Sequence, residues 1–329
     1  MKNIAIIGTG SWGTALAIHL EKMGNNIKMW SYEQEEIRLM NDEHVCKFLP
    51  GIQIPNNIKV SGDYKEVVEN SDYIFHVTPS KATRDIMKQY KKYVSNQPII
   101  ICSKGFENST HKTLDKVAKE EFSDTNNTII VLSGPSHAEE VAKEVPTAMV
   151  LASEDNEKML EIQNLLMNEK MRVYLSNDVK GTELGGALKN IIAICSGIIS
   201  GMQLGDNVFA ALITRGLAEI SRLGVELGGK KDTFYGLSGL GDLIVTCSSN
   251  FSRNRRAGIL IGQGKTIEET KKEVGMIIEG IENIQVAYDL SNKYNVEMPI
   301  VKSVYNVLYN GLNPNDAIRE LMLRSKKFE

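Results

Sequence analysis

Apolar residues in the first half of the chain fall in short runs, with longer segments of three-to-four spacing between them. The runs at 3–7, 27–30, 73–77, 98–102, 128–132, 147–151 and 171–174 have the length and β-branched content of buried strands. The intervening segments at 14–23, 64–69, 82–91, 113–121 and 156–168 repeat their apolar positions at helical spacing. Such alternation predicts a mostly parallel sheet covered by helices on both faces. From residue 179 the pattern changes. Segments at 184–200, 208–223, 255–261, 266–273, 282–294, 300–308 and 314–323 all read as helices, with glycine-rich connectors at 228–229 and 236–241. No period-two alternation survives there. The expected division is an α/β domain over 1–178 and an all-α domain over 179–329.

Composition narrows the possible functions. The net charge is −3 and the basic residues are spread along the chain, so no basic tract argues for nucleic acid or a membrane surface. Cys46, Cys102, Cys195 and Cys247 are far apart and show no CxxC spacing. That pattern suits reduced thiols in a cytoplasmic protein, not a disulfide framework or a zinc site. The five histidines are scattered, so no metal cluster is expected. The apolar run at the N-terminus ends at Gly8, too early for the core of a signal peptide. The most apolar later stretch, 184–199, is shorter than a bilayer span and is interrupted by Lys189 and Asn190, so no membrane span is expected.

The first twenty residues carry the clearest chemistry, in the stretch IAIIGTGSWGTALAIHL. Gly8, Gly10 and Gly13 fit G-x-G-x-x-G between a strand and a helix. In that arrangement the first glycine permits the tight turn, the second admits a pyrophosphate, and the third lets helix and strand pack closely. A helix starting near Ser11 would direct its free N–H groups at the phosphates. The α/β domain is therefore expected to be Rossmann-type and to bind NAD(H) or NADP(H). An acid about twenty residues beyond the last glycine normally reads the adenosine ribose. Counting from Gly13 points to Glu33, which would repel the 2′-phosphate of NADP and so favours NAD(H).

Other polar residues stand where a bland fold does not need them. Lys104 follows the strand at 98–102 and Ser133-Gly134-Pro135-Ser136 follows the next, both at the sheet edge where open α/β sheets bind ligands. Lys189, beside Asn190, lies in a helix that is apolar almost all round. A buried lysine must pair, snorkel or lose its proton, and is a candidate general acid/base. Asp242, after a glycine-rich turn, could hold that ammonium, bind a substrate hydroxyl or cap a helix. Ser252-Arg253-Asn254-Arg255-Arg256 opens the next helix and suits a phosphate dianion. Together these parts suggest hydride transfer between a carbinol and a carbonyl on a small phosphorylated substrate, with the lysine moving the proton.

The segments GTGSWGTA, SKG, LSGPSHAEEV, GGALKN, GDLIVTC and SRN, in this order, resemble the bacterial NAD(P)-dependent sn-glycerol-3-phosphate dehydrogenases. The resemblance runs through both halves of the chain. It implies interconversion of dihydroxyacetone phosphate and sn-glycerol 3-phosphate in support of glycerophospholipid synthesis, and a homodimer. It assigns Lys189 as general acid/base, and Lys104, Gly134, Ser136, Asn190, Asp242, Ser252, Arg253 and Asn254 as substrate contacts. Ser11, Trp12, Tyr32, Lys104, Ala138, Arg253, Ile277 and Glu279 would contact the cofactor, and Thr246 would support Lys189 or Asp242. Many relatives carry a basic residue after the second strand, where this chain has Ser31-Tyr32-Glu33; the family pattern pulls towards NADP(H), and Lys28 and Arg38 are candidates to reach a 2′-phosphate. Two alternatives share these features: a reductase of small hydroxy or keto acids, and a non-catalytic NADH sensor. The phosphate turn disfavours the first and the buried lysine the second.

Overall fold

The structure, a computed structural model, describes residues 1–326 and 328. The chain forms two units, residues 1–107 with 112–183, and residues 108–111 with 184–329. The change of texture seen in the sequence at 178–179 thus lies a few residues before the point where the units part.

The first unit is built on an eight-stranded sheet: β1 (Asn3–Ile7), β2 (Asn26–Trp30), β3 (Lys59–Ser61), β4 (Tyr73–His76), β5 (Ile99–Ile101), β6 (Ile129–Ser133), β7 (Thr147–Ala152) and β8 (Met171–Ser176). Their order across the sheet is β8-β7-β6-β5-β4-β1-β2-β3. Every neighbouring pair is parallel except β6–β7. Period-two alternation divides each strand between the two faces. Ile4, Ile6, Phe75 and Ile100 join one core with Leu16, Leu20 and Ile162. Ala5, Ile7, Ile74, Ile99 and Ile101 join another with Met87, Tyr90 and Leu114. With both faces covered, the strands read as continuous apolar runs. β3 leaves no strand signal in the sequence, because only Val60 of its three residues is buried.

Three short connections bear on the site. Helix α1 (Ser11–Lys22) follows β1, α2 (Gln34–Arg38) follows β2, and α3 (Ala138–Val141) follows β6. The last two are too short to leave a periodic trace in the sequence.

The second unit is helical. Its relevant elements are α4 (Val179–Gly201), which starts in the first unit, α5 (Asp206–Glu226), α6 (Asp242–Ser248), α7 (Arg253–Gly262), α8 (Glu279–Lys293) and α9 (Pro299–Tyr309). By length and hydropathy α4 could cross a membrane, but 83% of its most apolar window is buried within the protein. It is a core helix. Glycines let α4 and α7 approach closely: a Cβ on Gly197 would lie 2.1 Å from the Arg255 carbonyl oxygen, and one on Gly258 2.0 Å from that of Ile194. This contact sets Asn190 against Asn254. An apolar cavity of about 800 Å³ elsewhere in this unit, walled by Leu212, Val304 and Leu321, does not include Lys189 or Asp242.

Candidate active site

In the first unit, the glycine turn closes over the C-terminal ends of β1 and β4. Gly8 has φ +123, a conformation that disfavours any side chain, and a Cβ there would sit 2.7 Å from the Val77 carbonyl oxygen. A Cβ on Gly13 would lie 2.2 Å from the Gly8 carbonyl oxygen. Both glycines are required by the fold itself. Gly10 is different: its φ is −63, open to any residue, and a Cβ there would meet nothing within 4 Å. The space above Gly10 is open. No side chain caps α1 and no acid lies in its first turn, so its N-terminus presents uncompensated donors to that space. These features fit a pyrophosphate. Ser11 and Trp12 lie in this first turn, and Trp12 packs partly on the core.

Lys104 and Ser136 come together on Gly134. The Lys104 ammonium donates to the Gly134 carbonyl at 2.9 Å and the Ser136 hydroxyl donates to the same oxygen at 3.0 Å. Gly134 itself has φ +126. Ala138 is buried at the start of α3, just beyond. The neighbouring Ser103 hydroxyl donates to the Thr78 carbonyl at 2.5 Å, and Thr78 contacts His76 Nε2 at 2.7 Å. Burial pushes the His76 imidazole down to about 3, which favours its neutral form, and its other ring nitrogen contacts the Tyr90 hydroxyl at 3.3 Å. Tyr32 and Glu33 are both exposed, Glu33 as the residue preceding α2.

In the second unit Lys189 is buried, 5% exposed, with Asp242 1% exposed beside it. Its ammonium donates to Asp242 Oδ1 and, at 2.7 Å, to Thr246 Oγ1. The Thr246 hydroxyl donates to the Asp242 carbonyl at 2.6 Å, one turn back along α6, which turns its lone pairs towards the lysine. An acid and a hydroxyl on one helix therefore hold a lysine on another. Of the roles open to Asp242, the structure has it on the ammonium; the residue preceding the helix is Gly241.

The turn at 252–256 spreads its polar side chains among different partners. Ser252 caps α7 by accepting from the Arg255 amide at 3.2 Å. Arg253 reaches the Ile277 carbonyl at 3.1 Å. Arg255 turns back to Asn250 and to Ser200 on α4, and Arg256 is exposed. Asn254 donates to Asn190 Oδ1 at 2.9 Å and accepts from the Gly280 amide at 2.8 Å. It thereby ties α4, α7 and the start of α8 together. Glu279 is the first residue of α8, and with Ile277 it stands beside this junction. Sequence reasoning had no signal for Glu36, whose carboxylate accepts from both Thr9 and Ser31 hydroxyls.

Residues 3–159 match the family profile described as NAD-dependent glycerol-3-phosphate dehydrogenase N-terminus, and residues 178–319 match its C-terminus. The chain belongs to this family. Within the glycerol-3-phosphate dehydrogenase family it is 50% identical to a relative from Fusobacterium nucleatum named glycerol-3-phosphate dehydrogenase [NAD(P)+], covering 100% of this chain and 99% of the relative. It is 48% identical to another of that name from a Thermoanaerobacter species, covering 99% and 98%. The crystal structure of glycerol-3-phosphate dehydrogenase from Coxiella burnetii superposes with a TM-score of 0.94 at 39% identity, covering 98% of this chain and 99% of that one. As in that family, an α/β Rossmann-type unit precedes a helical one.

Proposed function

We propose that this chain interconverts dihydroxyacetone phosphate and sn-glycerol 3-phosphate with NAD(P)H as the hydride carrier. The observation that carries the reading is Lys189, buried in a helix and held by Asp242 and Thr246, in a chain of this family. When bound, the nicotinamide supplies and accepts the hydride. Lys189 Nζ gives a proton to the carbonyl oxygen as the substrate is reduced and takes it back from the hydroxyl as glycerol 3-phosphate is oxidised. Asp242 holds the ammonium by charge, and Thr246, its own proton committed to a backbone carbonyl, keeps it oriented. Arg253 binds the phosphate beside the capped N-terminus of α7, where amides and dipole favour an anion. Asn254 keeps Arg253 and Asn190 in register through its bonds to Asn190 and Gly280.

Supply of glycerol 3-phosphate to lipid synthesis, a homodimer and a cytoplasmic location belong to the same proposal. They rest on the family resemblance, and the location also on four cysteines that are all free thiols. The test is oxidation of NADH or NADPH by the purified chain with dihydroxyacetone phosphate. Turnover is expected, and dihydroxyacetone, lacking the phosphate, should neither react well nor compete. No turnover with either cofactor would overturn the assignment.

A further inference from the structure

The feature left over after the glycine turn and the lysine are accounted for is a carboxylate bridging the ends of two strands. β1 and β2 run parallel with Ile7 opposite Trp30, and the Gly8 amide donates to the Trp30 carbonyl at 3.1 Å. The residues just beyond, Thr9 and Ser31, are both buried. Glu36 Oε2 accepts from Thr9 Oγ1 at 2.7 Å and from Ser31 Oγ at 2.9 Å. Among the described residues no hydrogen bond to Oε1 is made, and the side chain is partly exposed. In this type of sheet the adenosine ribose lies at the end of β2 beside the glycine turn. We infer that Glu36, not Glu33, discriminates between the free 2′-hydroxyl and a 2′-phosphate on that ribose. The inference rests on the dinucleotide reading of the glycine turn.

Three observations carry it. The Glu36 carboxylate is held in place by a residue of the glycine turn itself, whereas Glu33 is exposed. An oxygen with spare lone pairs can accept from a ribose hydroxyl, while a phosphate at the same distance meets like charge. The basic residues that sequence reasoning offered to a 2′-phosphate are committed elsewhere. Arg38 spans Glu35 and Glu43 at 2.8 Å each, and Lys28 donates to the Glu66 carbonyl at 3.0 Å. Lys47 shares a small recess with Thr9 and Glu36 and lies over the Phe48 ring at 5.4 Å.

The test is direct binding, by titration calorimetry at one ionic strength, of NADH against NADPH and of 5′-AMP against adenosine 2′,5′-bisphosphate. The parent should bind the unphosphorylated member of each pair more tightly. Glu36→Gln should move the NADPH-to-NADH ratio of Kd by at least tenfold towards NADPH, and Glu33→Gln by less than twofold. A ratio unmoved by Glu36→Gln would overturn the inference, including the case where both cofactors weaken equally and Glu36 merely braces the turn. So would a parent that prefers NADPH, which would point to Lys47. A parent that binds neither nucleotide would bring down the dinucleotide reading as well. Should Glu36→Gln fail to fold, Thr9→Val removes one of the two hydroxyls holding the carboxylate and should reduce the discrimination severalfold; an unchanged ratio there also counts against it.

Discussion

Replacing Lys189 with Met removes the ammonium that the buried Asp242 carboxylate holds. Asp242 is 1% exposed, so water cannot screen the loss. Removing one partner of such a pair costs about 3–5 kcal/mol. At roughly 2–4 °C per kcal/mol for a domain of this size, Tm should fall by on the order of 6–20 °C. Loss of the general acid should lower kcat by about 10²–10⁴. The single variant therefore confounds instability with lost chemistry. The double variant Lys189→Met with Asp242→Leu separates them. It removes both charges, and Thr246 keeps its bond to the residue 242 carbonyl. Stability should return to within about 1 kcal/mol of the parent, because an apolar pair of similar volume replaces an ion pair at little net cost. Activity should not return, while NADH binding stays within about threefold. The assays are a thermal melt, dihydroxyacetone phosphate reduction and NADH fluorescence titration. Activity that recovers along with stability would refute the general acid/base role and leave the pair purely structural.

Other outcomes follow from the same geometry. Gly10→Ala should leave Tm unchanged and weaken NADH binding at least tenfold, since its Cβ meets no protein atom; Gly13→Ala, 2.2 Å from the Gly8 carbonyl, should destabilise the fold, and the pair is checked by melts and NADH titration. Arg253→Ala should raise the KM for dihydroxyacetone phosphate about 10–100-fold with a smaller change in kcat, the equivalent of a charge-assisted contact worth roughly 1.5–3 kcal/mol. Steady-state kinetics with an unchanged KM would move the phosphate elsewhere. Burial pushes the Glu219 carboxyl from 4.5 up to about 7, against the Ile300 and Val301 amides, which donate to it and favour the anion. Between those values the native state holds a proton that the unfolded chain releases, so this group's contribution to stability falls as pH rises through the window, by about 3 kcal/mol in all, and is flat above it. Urea midpoints from pH 5 to 8 should show a downward component that Glu219→Gln removes; identical slopes in the two proteins would contradict it.

The fold of the first unit was legible because its physics is local in sequence. Strands buried on both faces must be apolar throughout, as Ile4–Ile7 and Ile99–Ile101 are, and the covering helices must carry an apolar stripe. The glycine turn was legible for a similar reason: the backbone conformation at Gly8 and the contact at Gly13 permit little else. Lys189 could be singled out because a charge amid Leu188, Ile191 and Ile192 needs an explanation whatever surrounds it. Its partner was another matter. Asp242 and Thr246 reach it across 53 and 57 residues, and only the packing of one helix on another brings them there. The arginine run shows the same limit. Three cations stand together in the chain, yet α7 sends Arg253 to Ile277, Arg255 back towards α4 and Arg256 outwards. The acid beside the glycine turn shows it most plainly. Counting from Gly13 measures distance along the chain and lands on Glu33, but α2, whose hydrophobic signal is too short to read, places Glu36 one turn further on. Thr9 and Ser31 then draw that carboxylate across the ends of β1 and β2. Composition and periodicity determine which residues must be buried and which turns need glycine. Which charge meets which partner is decided by the tertiary structure, because a side chain reaches only a few ångströms and the sequence holds no record of that distance.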